Sequence, residues 1–169
     1  MPSASFTRRV VHNPDELLEM VADVEKYPEF ISLVAALRVT KRKSEAEYEA
    51  EAVIAYKMLR ESFRSDIKVD RAARTIHVTK AQKGGAVKAL ENRWVFHPLP
   101  DGTTLIEFFV DVSLALAPLN FVLREKMSKA SDVIMGAFEA RAAQVCAPVT
   151  AEDLDLPAAH ERLGLGSFT

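Results

Sequence analysis

The feature that most constrains this chain is one long amphipathic helix that follows an almost unbroken run of strands. Between Pro118 and Cys146 apolar residues recur at helical spacing. Leu119, Leu123, Met127, Ala130, Ile134, Ala137, Phe138 and Val145 form one stripe, with Glu125, Ser128, Asp132 and Glu139 opposite. Pro118 suits the first turn of such a helix, where its missing N–H would have had no partner anyway. At 1.5 Å per residue the helix would be about 40 Å long. No other segment offers a comparable helix to pair with it. The stripe has to be buried on a sheet, and that sheet has to curl around it. The same geometry tends to leave an apolar cavity between the two.

The rest of the chain supplies the sheet. Ser3 to Val11 reads as a strand with Phe6 and Val10 on one face. A helix start follows, with Asn13 as cap, Pro14 in the first position and Glu16 three residues after the cap. Leu17, Leu18, Met20, Val21 and Val24 give it an apolar side, and Tyr27-Pro28-Glu29-Phe30 breaks it and opens another short helical turn. From Ala35 the period changes to that of strands. Tyr48, Ala50, Ala52, Ile54 and Tyr56 alternate with Glu47, Glu49 and Glu51, the pattern of a strand with one solvated face. Phe63 to Val69, Thr75 to Ala81, Leu90 to Phe96 and Thr103 to Leu116 read as further strands, separated by Asp70 to Arg74, Lys83-Gly84-Gly85 and Pro98-Leu99-Pro100-Asp101-Gly102. Connections this short require antiparallel pairing. The expected fold is α+β: a curved antiparallel sheet of about seven strands wrapped around the long helix, with two short helices after the first strand.

Composition narrows the function classes. The 169 residues suit one domain, expected over 1–148, with 149–169 as a loosely ordered tail. A net charge of −2 gives no global basic field for wrapping DNA. The lone Cys146 excludes an intrachain disulfide, and the helical stripe puts it on the non-core side. The amino terminus has no signal-peptide pattern, and no window reaches the ~20 apolar residues of a membrane span. The expected location is the cytoplasm, with peripheral contact at the inner membrane open to such a protein.

Chemistry-bearing residues are sparse. His12, His77, His97 and His160 are too far apart to form a metal-binding spacing and read as surface or strand-end residues. No Gly-X-Ser-X-Gly elbow or phosphate loop is present, so no catalytic constellation and no catalytic cofactor is expected. Lys41-Arg42-Lys43, with Arg38, most simply decorates a strand end; its functional reading is a contact for phosphates of lipid head groups or ribosomal RNA. Arg141 falls in the apolar stripe of the long helix, and Glu61 shares a strand face with Phe63 and Ile67. Each either snorkels at the rim or offers a polar contact at one end of a pocket. Tyr56, Phe63, Trp94, Phe96, Phe108, Met127, Ile134 and Phe138 make either a core or the wall of an apolar ligand site.

Four segments bear a family likeness. Asp23-Val24-Glu25-Lys26-Tyr27-Pro28-Glu29-Phe30, Leu59-Arg60-Glu61-Ser62-Phe63, Leu90-Glu91-Asn92-Arg93-Trp94-Val95-Phe96 and Ala137-Phe138-Glu139-Ala140-Arg141-Ala142 occur in order over roughly residues 3 to 147. The chain resembles the coenzyme Q-binding, START-like branch of the polyketide cyclase/dehydrase superfamily, which includes the bacterial ribosome-association toxin family. The resemblance implies a helix-grip fold and an apolar tunnel between sheet and helix that holds ubiquinone or a related prenyl lipid. It implies a carrier or chaperone serving respiration or quinone biosynthesis. The toxin branch implies instead binding to the large ribosomal subunit, and the cyclases imply an enzyme acting in the same cavity, for which Glu61 and Arg141 are the only acid/base candidates in this chain. Carried over by position, the ligand-facing candidates are Phe30, Phe63, Leu90, Trp94, Met127, Ile134 and Phe138, with Arg141; Tyr56 and Phe108 join them from the apolar set. The chain departs from the family pattern at Ser32-Leu33, where Pro-Trp is common, and at Gly84-Gly85-Ala86-Val87, where aromatic residues are common.

Overall fold

The computed structural model describes residues 3–56, 59–81, 85 and 87–146; the side chains of Tyr56, Leu59, Ala117, Leu119 and Leu123 lie outside that description. In chain order the elements are β1 (Ser3–Val10), α1 (Pro14–Ala22), a 3-10 turn (Val24–Glu29), β2 (Val34–Arg42), β3 (Glu47–Tyr56), β4 (Leu59–Asp70), β5 (Thr75–Lys80), β6 (Val87–Pro98), β7 (Thr104–Leu114) and α2 (Ala117–Val145). The seven strands form one antiparallel sheet in the order β1-β7-β6-β5-β4-β3-β2. It is the helix-grip architecture expected: a curved sheet closed by the C-terminal helix.

α1 forms where its signals lie. The Asn13 side chain accepts from the N–H groups of Asp15 (2.8 Å) and Glu16 (3.3 Å), satisfying two donors that the first helical turn leaves open. At its other end the Tyr27 and Tyr48 hydroxyls donate to the carbonyls of Val21 and Ala22. Leu17, Leu18 and Val21 are buried, so α1 plugs one end of the sheet. Thr103 and Thr104 are fully buried at the same end, and Thr104 Oγ1 donates to the His12 carbonyl at 2.7 Å. His12 is itself buried, although the sequence suggested a surface position.

α2 is held at both ends by different means. At its start the Asn120 side chain accepts from the Leu114 N–H (2.7 Å) and donates to the Leu114 carbonyl (2.8 Å), which fixes the angle at which the helix leaves β7. Arg8 of β1 reaches Glu139 (3.1 Å) and Asp132 (3.3 Å). The face turned to the sheet carries Met127, Ser131, Met135, Phe138, Ala142 and Cys146, all buried. The stripe read from the sequence is therefore displaced toward its far end. Val145 is 53% exposed, and Cys146, placed by the periodicity on the non-core side, is packed in the core. The reason is that two small polar-tolerant positions, Ser131 and Cys146, continue the spacing that the aliphatic residues begin.

Candidate functional site

Phe138 is the hub of the space between α2 and the sheet. Tyr27, Phe30 and Trp94 meet its ring edge-on, with centroids at 5.2, 5.2 and 5.0 Å. Trp94 stacks beside Phe96 and meets Phe108 edge-on at 4.9 Å, and Phe108 stacks on Phe6 at 4.9 Å. Such pairings contribute beyond the area they bury. The Trp94 indole N–H donates to Asn92 Oδ1 at 2.8 Å, while Asn92 Nδ2 donates to the Phe109 carbonyl at 2.9 Å. Both polar side chains are thus satisfied inside an apolar surround.

Rows of inward-facing residues run across the strands, and their burial changes from one end to the other. Val69, Ile76, Trp94 and Phe108 are register neighbours, and all are buried. The next row, Ile67, Val78, Asn92 and Val110, is half-buried apart from Ile67. The row beyond it holds Ser65 opposite Lys80 and Leu90 opposite Val112, and only Ser65 is buried. Phe63 and, on α2, Ile134 are half-buried as well. The concave face is therefore solid beside α1 and open toward its other end.

At the closed end a hollow of about 10 Å³ lies among Val10, Leu17, Trp94, Ile106, Met135 and Phe138. That is about the space of a single water. A hollow of about 170 Å³ lies elsewhere, between α1, the 3-10 turn and the β2–β3 hairpin, and its lining includes Glu19, Asp23, Glu25, Arg42 and Arg71. Its charged walls do not suit an apolar guest.

These observations sort the candidate residues. Phe30, Trp94, Phe108 and Phe138 come together as the packed floor of the cleft. Phe63, Leu90 and Ile134 line its open half, and Met127 is buried on the inner face of α2. Tyr56 closes β3 opposite Leu59, its side chain outside the described part. Arg141 sits at the rim, its guanidinium 5.3 Å from the centre of the Phe30 ring and 3.3 Å from Glu29. Glu61 is half-buried on the concave face. Sequence reading missed Phe6, Tyr27 and Met135 as parts of the floor. The Phe6 alternation and the Tyr-Pro turn were visible, but their convergence depends on β1 pairing with β7, a contact between opposite ends of the sequence.

The titratable groups nearest the floor stay protonated. Burial raises Tyr27 far above the usual phenol range, with the Tyr48 and Asp23 charges adding to it. Burial also pushes Tyr48 up to about 12, against the opposing pull of Arg42 and Arg71. The Cys146 thiol is raised by burial and by Glu16. His77 and His97 pair with Glu91 (3.3 Å) and Glu107 (3.0 Å). Among the described residues no group of three or more His, Cys, Asp and Glu could hold a metal ion. Arg38, Lys41 and Arg42 are exposed on β2, an edge strand, and Lys43 is exposed in the bend just after it.

Residues 10–139 match the family model for polyketide cyclase / dehydrase and lipid transport. The chain belongs to this family. It is 27% identical over 146 residues to the ribosome association toxin RatA of Rickettsia prowazekii, covering 86% of this chain and 99% of that protein. An 18 kDa protein of Caulobacter crescentus, solved in solution, is 32% identical, with a TM-score of 0.70 over 85% of this chain and 97% of the other. The Zhui aromatase/cyclase of a Streptomyces species has the same fold, with a TM-score of 0.74 at 15% identity over 84% of this chain and 93% of that one. Among the described residues no helix is long and apolar enough to cross a membrane.

Proposed function

We propose that this member of the family is a non-catalytic carrier that holds ubiquinone or a related prenyl lipid in the open half of its cleft, in support of respiration or quinone biosynthesis. The observation that carries this reading is the apolar concave face left half-exposed at Phe63, Leu90, Val110, Val112 and Ile134. Apolar area withdrawn from water stabilises by about 25 cal/mol per Å², so a lipid tail laid along these residues removes an existing cost. A means of loading lies next to the cleft. Leu116, Phe121 and Val122 are 63%, 61% and 48% exposed, and Arg124, Lys126 and Lys129 are exposed on the same stretch of α2. Apolar and cationic side chains side by side favour an anionic membrane surface. Organic extraction of the purified protein followed by mass spectrometry is expected to release a prenyl quinone. Recovery of no prenyl lipid, together with no binding of ubiquinone on titration, would overturn the reading.

A second reading is favoured by the similarity to RatA and by the exposed cations Arg38, Lys41, Arg42 and Lys43. Here the protein binds the large ribosomal subunit and hinders subunit joining, with these residues on RNA phosphates. Co-sedimentation with that subunit, weakening steeply as salt rises, would support it. A protein that stays at the top of a low-salt gradient excludes it.

A further inference from the structure

β4 carries a carboxylate into the cleft. Glu61 stands on the concave face with Phe63, Ser65, Ile67 and Val69, because the register of β4 against β3 runs without a shift. It is opposite Ile54, which is in turn opposite Val34. Val34, Ile54 and Phe63 are half-buried, as is Glu61, so the carboxylate is set in an apolar lip. The β4–β5 ladder starts at Ser65, which leaves Glu61 and Phe63 on the stretch of β4 beyond it, at the open end. The convex carboxylates of the same hairpin are matched, since Arg64 lies 3.9 Å from Glu49 and 3.3 Å from Glu51. Arg8 and Arg141, on either side of α2, are matched by Asp132 with Glu139 and by Glu29. Glu61, by contrast, has no hydrogen-bond or ion-pair partner among the described residues. A carboxylate partly withdrawn from water with no donor in exchange is unfavourable, and a ligand that brings a donor removes that penalty.

We infer that Glu61 is the head-group contact of the cleft, and that it selects a neutral head bearing a hydroxyl, the hydroquinone or phenol form of a prenyl lipid, over the quinone. This rests on the reading of the cleft as a lipid site and adds which form of the lipid is held. An ionised carboxylate accepts hydrogen bonds and donates none. A quinone ring offers it only carbonyl oxygens, whereas the two-electron, two-proton reduced ring carries a hydroxyl in place of each. A hydroxyl bound to a carboxylate is charge-assisted and so among the stronger hydrogen bonds. Fatty acids and phosphate esters bring a like charge to Glu61 and are disfavoured. An ammonium head is attracted, but it gives up far more hydration than a hydroxyl on entering an apolar lip. The head then rests at the open end, and the tail lies inward along Phe63, Leu90 and Ile134.

The test uses the full chain and a neutral apolar dye, N-phenylnaphthylamine, displaced under argon by two matched pairs. One is a ubiquinone analogue with a ten-carbon tail and its hydroquinone; the other is 4-dodecylphenol and its methyl ether. Within each pair the members differ chiefly in the hydroxyl donor. Wild type is expected to release the dye to hydroquinone and phenol at concentrations about tenfold below those needed for quinone and ether, the size of effect expected for a hydrogen bond to a charged group. Glu61→Leu should raise the hydroquinone and phenol requirements about tenfold, to the level of their partners, and leave quinone and ether within about twofold. Glu61→Gln, of nearly the same shape, should shrink each preference to about threefold, because a neutral amide oxygen accepts more weakly. It decides the matter if the leucine variant does not fold. Equal displacement within either pair in wild type, or a full preference persisting in Glu61→Gln, overturns the role of Glu61 while leaving an apolar lipid site in place. Tighter binding of dodecylamine than of dodecylphenol overturns the hydroxyl head. If the dye does not bind and no competitor binds on direct titration, the lipid reading itself has failed.

Discussion

At Asp101 burial and hydrogen bonding pull in opposite directions. Its side chain is 1% exposed, which disfavours the charged form, yet it accepts from the Thr103 hydroxyl and N–H and from Arg9 at 2.7 Å. The hydrogen bonds and the guanidinium prevail and hold the carboxyl at about 2, against an ordinary 3.8. A carboxylate with a lowered folded-state pKa stabilises fully above its unfolded value, and that contribution disappears as the pH falls through the folded value. Urea unfolding of wild type should therefore show a loss of stability between about pH 4 and pH 2. Asp101→Asn should be less stable at neutral pH and show a smaller acid loss. At the opposite wall of the core, Phe138→Ala removes the ring that three other aromatics contact. Truncations of this kind cost about 3–5 kcal/mol, and the thermal midpoint should drop accordingly. Val133→Ala, on a side chain that is 65% exposed, should leave it nearly unchanged.

Among the elements, α2 does two jobs with its two halves. From Met127 onward its inner face is buried and tied to β1 by Arg8; before that it presents Phe121 and Val122 to solvent. Phe121→Asp should leave the unfolding free energy within about 0.5 kcal/mol of wild type, as expected for an exposed position. It should also abolish pelleting with vesicles rich in anionic lipid. Unchanged pelleting would mean that this half of the helix does not meet the bilayer. The helix itself was legible because proline, apolar spacing and length all agreed. Its burial register was less so. Periodicity weights residues by hydrophobicity and so chose Val145, whereas the structure turns the small Ala142 and Cys146 inward, where the helix comes closest to α1. Arg141 shows the same limit: spacing placed it in the stripe, but only the fold reveals Glu29 and Phe30 as its partners.

For the whole molecule, the antiparallel run from β2 to β7 followed from short connections, whereas the place of β1 beside β7 did not, and the alternation of β3 and β7 marked out an apolar face in advance. What sequence could not supply is depth. Trp94 and Leu90 lie four residues apart on one face of β6, yet one is sealed and the other half-open, because α1 plugs only one end of the sheet. The candidate site was thus readable as a set of residues but not as a floor and a mouth. The sheet is open rather than closed into a barrel, so β1 and β2 are its edge strands, β2 partly covered by the 3-10 turn through Glu25, which accepts from the Val39 N–H at 3.2 Å. An unpaired edge recruits other strands unless charge or irregularity deters them. β2 carries both deterrents: Arg38, Lys41 and Arg42 along it, and register shifts between Val34 and Ala36 and between Val39 and Lys41. The cations that would touch RNA therefore also keep one copy of this protein from zipping onto the next. Neutralising them to test ribosome binding would remove a guard against self-association, and loss of binding in such a variant would carry meaning only if the protein still ran as a single species.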